Sequence, residues 1–317
     1  MCGRYALSKL PSELAEEFEI HTGESLKKLL TLPPLPADWN ITPTRDIYII
    51  RNSPTNERDL AITSWGLIAP WSKTPADALK SQSQAINARS ETVDQKPTFR
   101  SAFRARRCLI PADGYYEWAT EHGDFPPKQP FYISADTSTF AKATDSALSP
   151  DSAHSLDSTH SLDSTYSLDS TYSLHSTHSL HSTHSLQSGN SSALANPSAL
   201  TNPTKKVRST LALAGIWESW VSPDGKVRES AAIITRPAVD FLADIHSRMP
   251  TFLPEDRWDR WLDTSLRDVE EIRSLMQLDS PAAGLKAIPV STSVNSIRNN
   301  GPQLIEEIDL DDHLTLF

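Results

Sequence analysis

Apolar positions along the chain fall in short runs bounded by Gly, Pro, Asp and Asn, a pattern that predicts many short strands and few long helices. Residues 46–51 and 58–65 read as strands, the second ended by Gly66. Residues 107–111 and 115–119 flank Asp113-Gly114, which predicts a hairpin. Residues 129–133 and 211–217 read as strands, and 230–235 as a strand of the buried type. A helical pattern is confined to 12–18, with Ser12 as N-cap just after Pro11, and to 254–262 and 265–276. The expected architecture is α+β, with an antiparallel barrel-like β core and flanking short helices.

Between the strands at 129–133 and 211–217 the pattern breaks down. A six-residue unit repeats there, as in Ser155-Leu156-Asp157-Ser158-Thr159-His160, then Ser161-Leu162-Asp163-Ser164-Thr165-Tyr166, with variants such as Ser173-Leu174-His175-Ser176-Thr177-His178. One Leu per unit cannot bury enough surface to offset chain entropy, so a disordered, low-complexity insert is expected. A hexapeptide β-helix is the ordered alternative, but it wants more apolar and Gly positions. Six of the ten His lie in this stretch. Ligands without preorganised geometry make a poor metal site, and neither a metal nor another cofactor is expected. Loop-closure entropy grows only logarithmically, so a long insert between paired strands is tolerated. We therefore expect 1–136 and 207–317 to form one domain, interrupted by 137–206.

Composition narrows the function classes. At 317 residues and 38% hydrophobic, the chain can bury one large core or two ordinary ones. Two cysteines, Cys2 and Cys108, exclude a disulfide framework and fit a reducing cytosol. There is no N-terminal apolar h-region and no run of about 18 apolar residues. Neither signal peptide nor membrane span is expected, and a cytoplasmic location follows. The net charge of −10 argues against a globally basic nucleic-acid binder but allows a local basic groove. Eight Trp serve cores and also suit stacking on bases.

Candidate chemistry begins at Cys2. Removal of Met1 would leave a residue with an α-amine and a thiol on adjacent carbons. Such a 1,2-aminothiol captures an aldehyde twice, as a Schiff base and then as a thiazolidine. An α-amine with a pKa of about 8 is partly neutral at pH 7 and needs no burial to act. The alternative is an ordinary residue on a frayed terminus. Three polar clusters lie beside apolar runs, around Asn87, around Glu117 and around His246. Taken singly, each admits a structural role: Asn87 satisfying backbone in a turn, Glu117 alternating towards water, His246 hydrogen-bonded in the core. None has the spacing of a metal site, and no phosphate loop or G-x-S-x-G is present.

The ordered motifs together are more specific. They are Met1-Cys2-Gly3-Arg4-Tyr5-Ala6, Trp39-Asn40-Ile41-Thr42-Pro43, Trp65-Gly66-Leu67-Ile68 and Ile86-Asn87-Ala88-Arg89-Ser90-Glu91-Thr92. Further on come Pro111-Ala112-Asp113-Gly114-Tyr115-Tyr116-Glu117-Trp118, Asp244-Ile245-His246-Ser247-Arg248-Met249-Pro250 and Asn299-Asn300-Gly301-Pro302. In these motifs, their order and their approximate distances, the chain resembles the SRAP family of abasic-site-processing proteins. The resemblance implies a DNA-damage protein of the SOS-response type that binds abasic sites in single-stranded DNA and cross-links to them through Cys2. It implies Schiff-base, lyase-type chemistry, with Glu117 as acid/base beside the amine and His246 acting on the sugar oxygen. Asn87 would orient Cys2 and lesion, and Thr235 would hydrogen-bond in the same pocket. Arg4, Arg89 and Arg248 would hold the strand, and Trp71 would stack beside the lesion. Expected partners are lesion-bearing single strands and replication-fork proteins, with the protein itself a monomer.

Arg100, Arg104, Arg106 and Arg107 form a basic run that suits phosphate contact or a solvated face. The chain departs from the family where Ser72 follows Trp71 in place of a second aromatic. The stretch 73–85 is longer than in compact members, and Pro97 replaces a basic residue. Two other function classes compete. Family members are described as autoproteolytic, so a thiol peptidase using Cys2 is one. A non-covalent single-strand-binding module, which would leave Cys2 dispensable, is the other.

Overall fold

A computed structural model describes residues 2–21, 34–53, 55–120, 125–137 and 209–310. The expected insert, 137–206, lies outside the described residues apart from its first. The chain divides into one unit of 1–143 with 207–317 and a second of 144–206. The described strands are β1 (Tyr5–Leu7), β2 (Asp38–Ile41), β3 (Asp46–Asn52), β4 (Arg58–Trp65), β5 (Asn87–Arg89) and β6 (Arg107–Ala112). They continue with β7 (Gly114–Trp118), β8 (Pro130–Ala135), β9 (Leu211–Val221), β10 (Val227–Pro237), β11 (Arg248–Pro250) and β12 (Leu285–Pro289). The described helices are α1 (Pro11–Glu17), α2 (Pro75–Gln84), α3 (Pro97–Ala105), α4 (Phe241–Ile245), α5 (Trp258–Leu262) and α6 (Val269–Leu275).

Five strands close on themselves. β3 pairs antiparallel with β4 and β6, β6 with β9, and β9 with β10. The ring is completed by a parallel contact, with Ser230 and Ala231 of β10 opposite Ser64 and Trp65 of β4. The barrel-like core is therefore present, and its closing pair is parallel within an otherwise antiparallel ring. Beyond the closure β10 continues and gains β5 in parallel and β11 antiparallel. A second sheet, ordered β12-β8-β7-β1-β2, is antiparallel throughout. Alternation in β7 divides its side chains between two cores. Tyr115 joins the main cluster with Tyr5 and Ile133, while Tyr116 joins a smaller one with Val290, Val294 and Leu304.

The Asp113-Gly114 hairpin is not formed. β6 belongs to the barrel and β7 to the second sheet, so these residues carry the chain across. Asp113 N–H donates to Ala6 O (2.8 Å), and its carboxylate accepts from Ser8 N–H and Oγ (both 2.7 Å). Gly114 is required by crowding: a Cβ there would lie 2.4 Å from the Tyr132 ring. An Asp-Gly pair signals a sharp change of direction, but its partners are set by β1, which is distant in sequence. Likewise β8 and β9, on either side of the insert, do not pair with each other. The first helix starts at Pro11 rather than at an N-cap Ser12. Pro takes the first turn, where no N–H is needed, and Glu13 accepts from Leu10 N–H (2.7 Å). The pattern at 254–262 resolves into a 3-10 turn, Glu255–Arg257, followed by α5. Among the described residues no helix is long and apolar enough to cross a membrane.

Candidate active site

The chain start is drawn into the second sheet. Tyr5 and Ala6 face Tyr115 and Gly114, and Tyr116 N–H donates to Arg4 O (2.9 Å). This register sets Cys2 beside the end of β7, where it is fully buried. Glu117 lies on the inner face of β7. The structural alternative, in which it alternates towards water, does not hold: it is only 4% exposed. The barrel covers one face of the sheet and the segment carrying Val290, Val294 and Leu304 covers the other. Burial pushes the Glu117 carboxyl up from 4.5 to about 7. Burial also raises the Cys2 thiol, as does the nearby Glu117 charge, while the Arg4 backbone N–H opposes the shift.

Asn87 opens β5, where pairing with Ile233 of β10 fixes the backbone and Trp65 Nε1–H anchors Ile86 O (3.0 Å). Its Nδ2–H donates to Cys2 O at 2.8 Å. Its Oδ1 is buried with no hydrogen-bond partner among the described residues. His246 sits just past α4. Thr120 N–H, at the end of the β7 segment, donates to Ile245 O (3.1 Å) and brings the two elements together. His246 Nδ1 lies 3.9 Å from Glu117 Oε2, beyond hydrogen-bonding distance, and accepts from Arg248 N–H at 3.0 Å. Nδ1 also lies 3.3 Å from Arg248 O; the shorter Arg248 N–H bond favours the neutral ring with its proton on Nε2. Burial lowers the His246 pKa, which favours that neutral form.

The arginines divide. Arg4 donates to Val294 O (2.8 Å) and Asn40 Oδ1 (2.5 Å) and lies over the Trp118 ring. Arg248 grips both carboxylate oxygens of Glu91 and also donates to Thr235 O (2.6 Å) and Oγ1 (3.2 Å). The Arg248 hydrogen bonds hold Glu91 down at about 2. Arg89 is exposed at the end of β5. Trp71 is 56% exposed in the segment between β4 and α2, where Trp220 Nε1–H holds Ser72 O (2.8 Å). The run 100–107 is not one basic face. Arg106 pairs with Glu218, and Arg107 is buried, donating to the carbonyls of Phe103, Arg104, Trp261, Asp263 and Leu266.

Cys2, Asn87, Glu117 and His246 thus converge from four separate elements. Among the described residues no group of three or more His, Cys, Asp and Glu is placed to hold a metal ion. Tyr5 was not among the sequence candidates. Its hydroxyl is buried next to the site and has no hydrogen-bond partner among the described residues. A conventional core aromatic gives no sequence signal for this.

A small barrel and a five-stranded sheet meet around a Cys-Asn-Glu-His set in which Cys2 and Glu117 are buried and Asn87 and His246 half-buried. The chain belongs to the SOS response associated peptidase (SRAP) family, whose model matches residues 1–297. It is 28% identical over 306 residues to the abasic site processing protein YoqW of Bacillus subtilis, covering 96% of this chain and 99% of YoqW. It is 27% identical over 266 residues to the rat abasic site processing protein HMCES, covering 83% of this chain and 61% of HMCES. A crystal structure of a Bacteroides thetaiotaomicron protein shares the fold. Its TM-score is 0.63 at 20% identity, covering 97% of this chain and all of that one.

Proposed function

We propose that this protein captures abasic sites in single-stranded DNA by forming a thiazolidine with Cys2. The reading rests on one observation above the others: Asn87 holds the Cys2 carbonyl while Glu117, with a pKa of about 7, is buried beside it. Met1 is first removed. The Cys2 amine then adds to the aldehyde of the ring-opened sugar, and loss of one water gives the imine. The thiol adds across the C=N bond; sulfur bonds to carbon, and its proton ends on nitrogen. No oxidant or reductant is needed. A carboxyl near neutrality exchanges protons in both directions at physiological pH, which suits carbinolamine dehydration and its reversal. His246 Nε2–H is suited to hydrogen-bond the sugar oxygen during ring opening. Arg89 and Trp71 are exposed and suited to a phosphate and a base. Arg4 and Arg248 hold the pocket walls through their present partners and meet the strand from there. The protein acts as a monomer, near replication forks where such single strands arise.

The test is incubation with a single-stranded oligonucleotide carrying one abasic site, followed by a denaturing gel. We expect a heat-stable shifted band, absent with Cys2→Ala and with intact DNA. A complex that vanishes on denaturation, or peptide turnover without an adduct, overturns the proposal.

A further inference from the structure

Three strands of the site run one residue past it. Ser90 follows Arg89 of β5, Arg236 follows Thr235 within β10, and Thr251 follows Pro250 of β11. With Glu91 and Arg273 of α6 they line a cavity of about 220 Å³. Several of its donors lack acceptors among the described residues. The Arg236 guanidinium makes no hydrogen bond or ion pair among the described residues, and its Nε is buried. The Thr251 hydroxyl, on a residue 1% exposed, has no partner among them either. Arg273 donates through Nη2 to Asp94 Oδ1 (2.7 Å) and Glu91 O (3.0 Å), but its buried Nε has no partner. The Glu91 carboxylate is already occupied on both oxygens by Arg248. Three guanidiniums, of Arg236, Arg248 and Arg273, thus meet two carboxylates, of Glu91 and Asp94. The surplus positive charge sits on Arg236.

A buried donor left without an acceptor is unfavourable, and a tetrahedral oxyanion supplies several acceptors at once. We propose that this cavity is a phosphate subsite in which Arg236, helped by Arg273 and the Thr251 hydroxyl, binds a phosphate group. The source we assign is a backbone phosphodiester of the lesion-bearing strand, an assignment that rests on the function proposed above. The same chemistry would take free inorganic phosphate.

The test has two arms, both on the full chain with wild type, Arg236→Ala and Arg236→Lys. In the first, capture of the abasic oligonucleotide is followed against its concentration, with the linkages flanking the lesion replaced singly by neutral methylphosphonate. Arg236→Ala is expected to raise the half-saturating concentration about tenfold. It should also reduce the slope of log affinity against log salt by about 0.7. One methylphosphonate should cost the wild type the same factor and cost Arg236→Ala nothing further. Lys, which keeps charge but loses the fork, should fall between. In the second arm inorganic phosphate is titrated calorimetrically without DNA. Heat lost in Arg236→Ala, together with an unaffected first arm, supports the subsite with free phosphate as its ligand and overturns the strand assignment. No effect in either arm overturns the subsite. Failure of the wild type to form any denaturation-stable adduct removes the covalent reading and leaves the phosphate titration to decide the subsite.

Discussion

Burying Glu117 is costly. The carboxyl titrates near 4.5 unfolded and about 7 folded, so between those values the native state holds a proton that the unfolded chain has released. Stability therefore falls as pH rises from about 4.5 to about 7 and stays low above that. Glu117→Gln removes the ionisation. We expect it to stabilise the protein at pH 8 by an amount on the order of 3 kcal/mol, with little change at pH 4. Urea melts at the two pH values check this, and an equal gain at both would show that the carboxyl is not the group responsible. In the capture assay the same variant should slow adduct formation and lose an inflection near pH 7. In the proposed reaction His246, whose Nδ1 accepts from the Arg248 amide, would act on the sugar oxygen and not on the amine. We expect His246→Ala to impair release of a preformed adduct more than its formation, measured by exchange onto a second abasic oligonucleotide. Matching losses in the two directions would remove that assignment.

At the scale of elements, what was legible was local. Strands β3 and β4 were readable almost to the residue, because Asp46 and Gly66 punctuate them. Gly66 adopts φ +109°, and a Cβ there would meet Gln82 O at 2.3 Å. What was not legible was partnership. Asp113-Gly114 looked like a hairpin because its chemistry is that of a turn, whereas β6 and β7 are claimed by β9 and β8, distant in sequence. Glu117 looked solvent-facing because alternation predicts two faces but not what covers them. The Cys2, Asn87 and His246 motifs stood out as residue types, while the contacts joining them span most of the chain. Arg236 went unnoticed because a lone Arg after a strand carries no signal until its neighbours are placed. Arg107 shows the same limit. Within a basic run it reads as a phosphate contact, yet its guanidinium donates to five carbonyls joining α3 to the end of α5 and the turn beyond. Arg107→Met should destabilise by at least about 3 kcal/mol, because the carbonyls lose charged donors. Arg104→Ala, on the exposed face of α3, should change stability by less than about 0.5 kcal/mol. A reversed order in thermal melts would contradict this account.

For the whole molecule, the fold is two sheets stitched by a few long-range links, and we propose that 137–206 adds no packing to it. Ala135 and Leu211 line a common cavity, so a short connection can join β8 to β9. Replacing 138–208 with a Gly/Ser linker of about ten residues should leave adduct formation intact and stabilise the protein by about 1–2 kcal/mol through reduced loop-closure entropy. Loss of folding on that replacement would mean the repeat packs against the domain. The bond from Arg4 to Val294 spans 290 positions and ties the residue before the first strand to the 3-10 turn Thr292–Asn295. During synthesis those partners are made at opposite ends of the process. At about 5–20 residues per second, roughly 15 to 60 seconds separate the emergence of Cys2 from that of its far wall. Glu117 and His246 emerge within that interval, but the Val294 wall comes only near its end, so on the function proposed above we expect capture to wait until nearly all of the polypeptide is made.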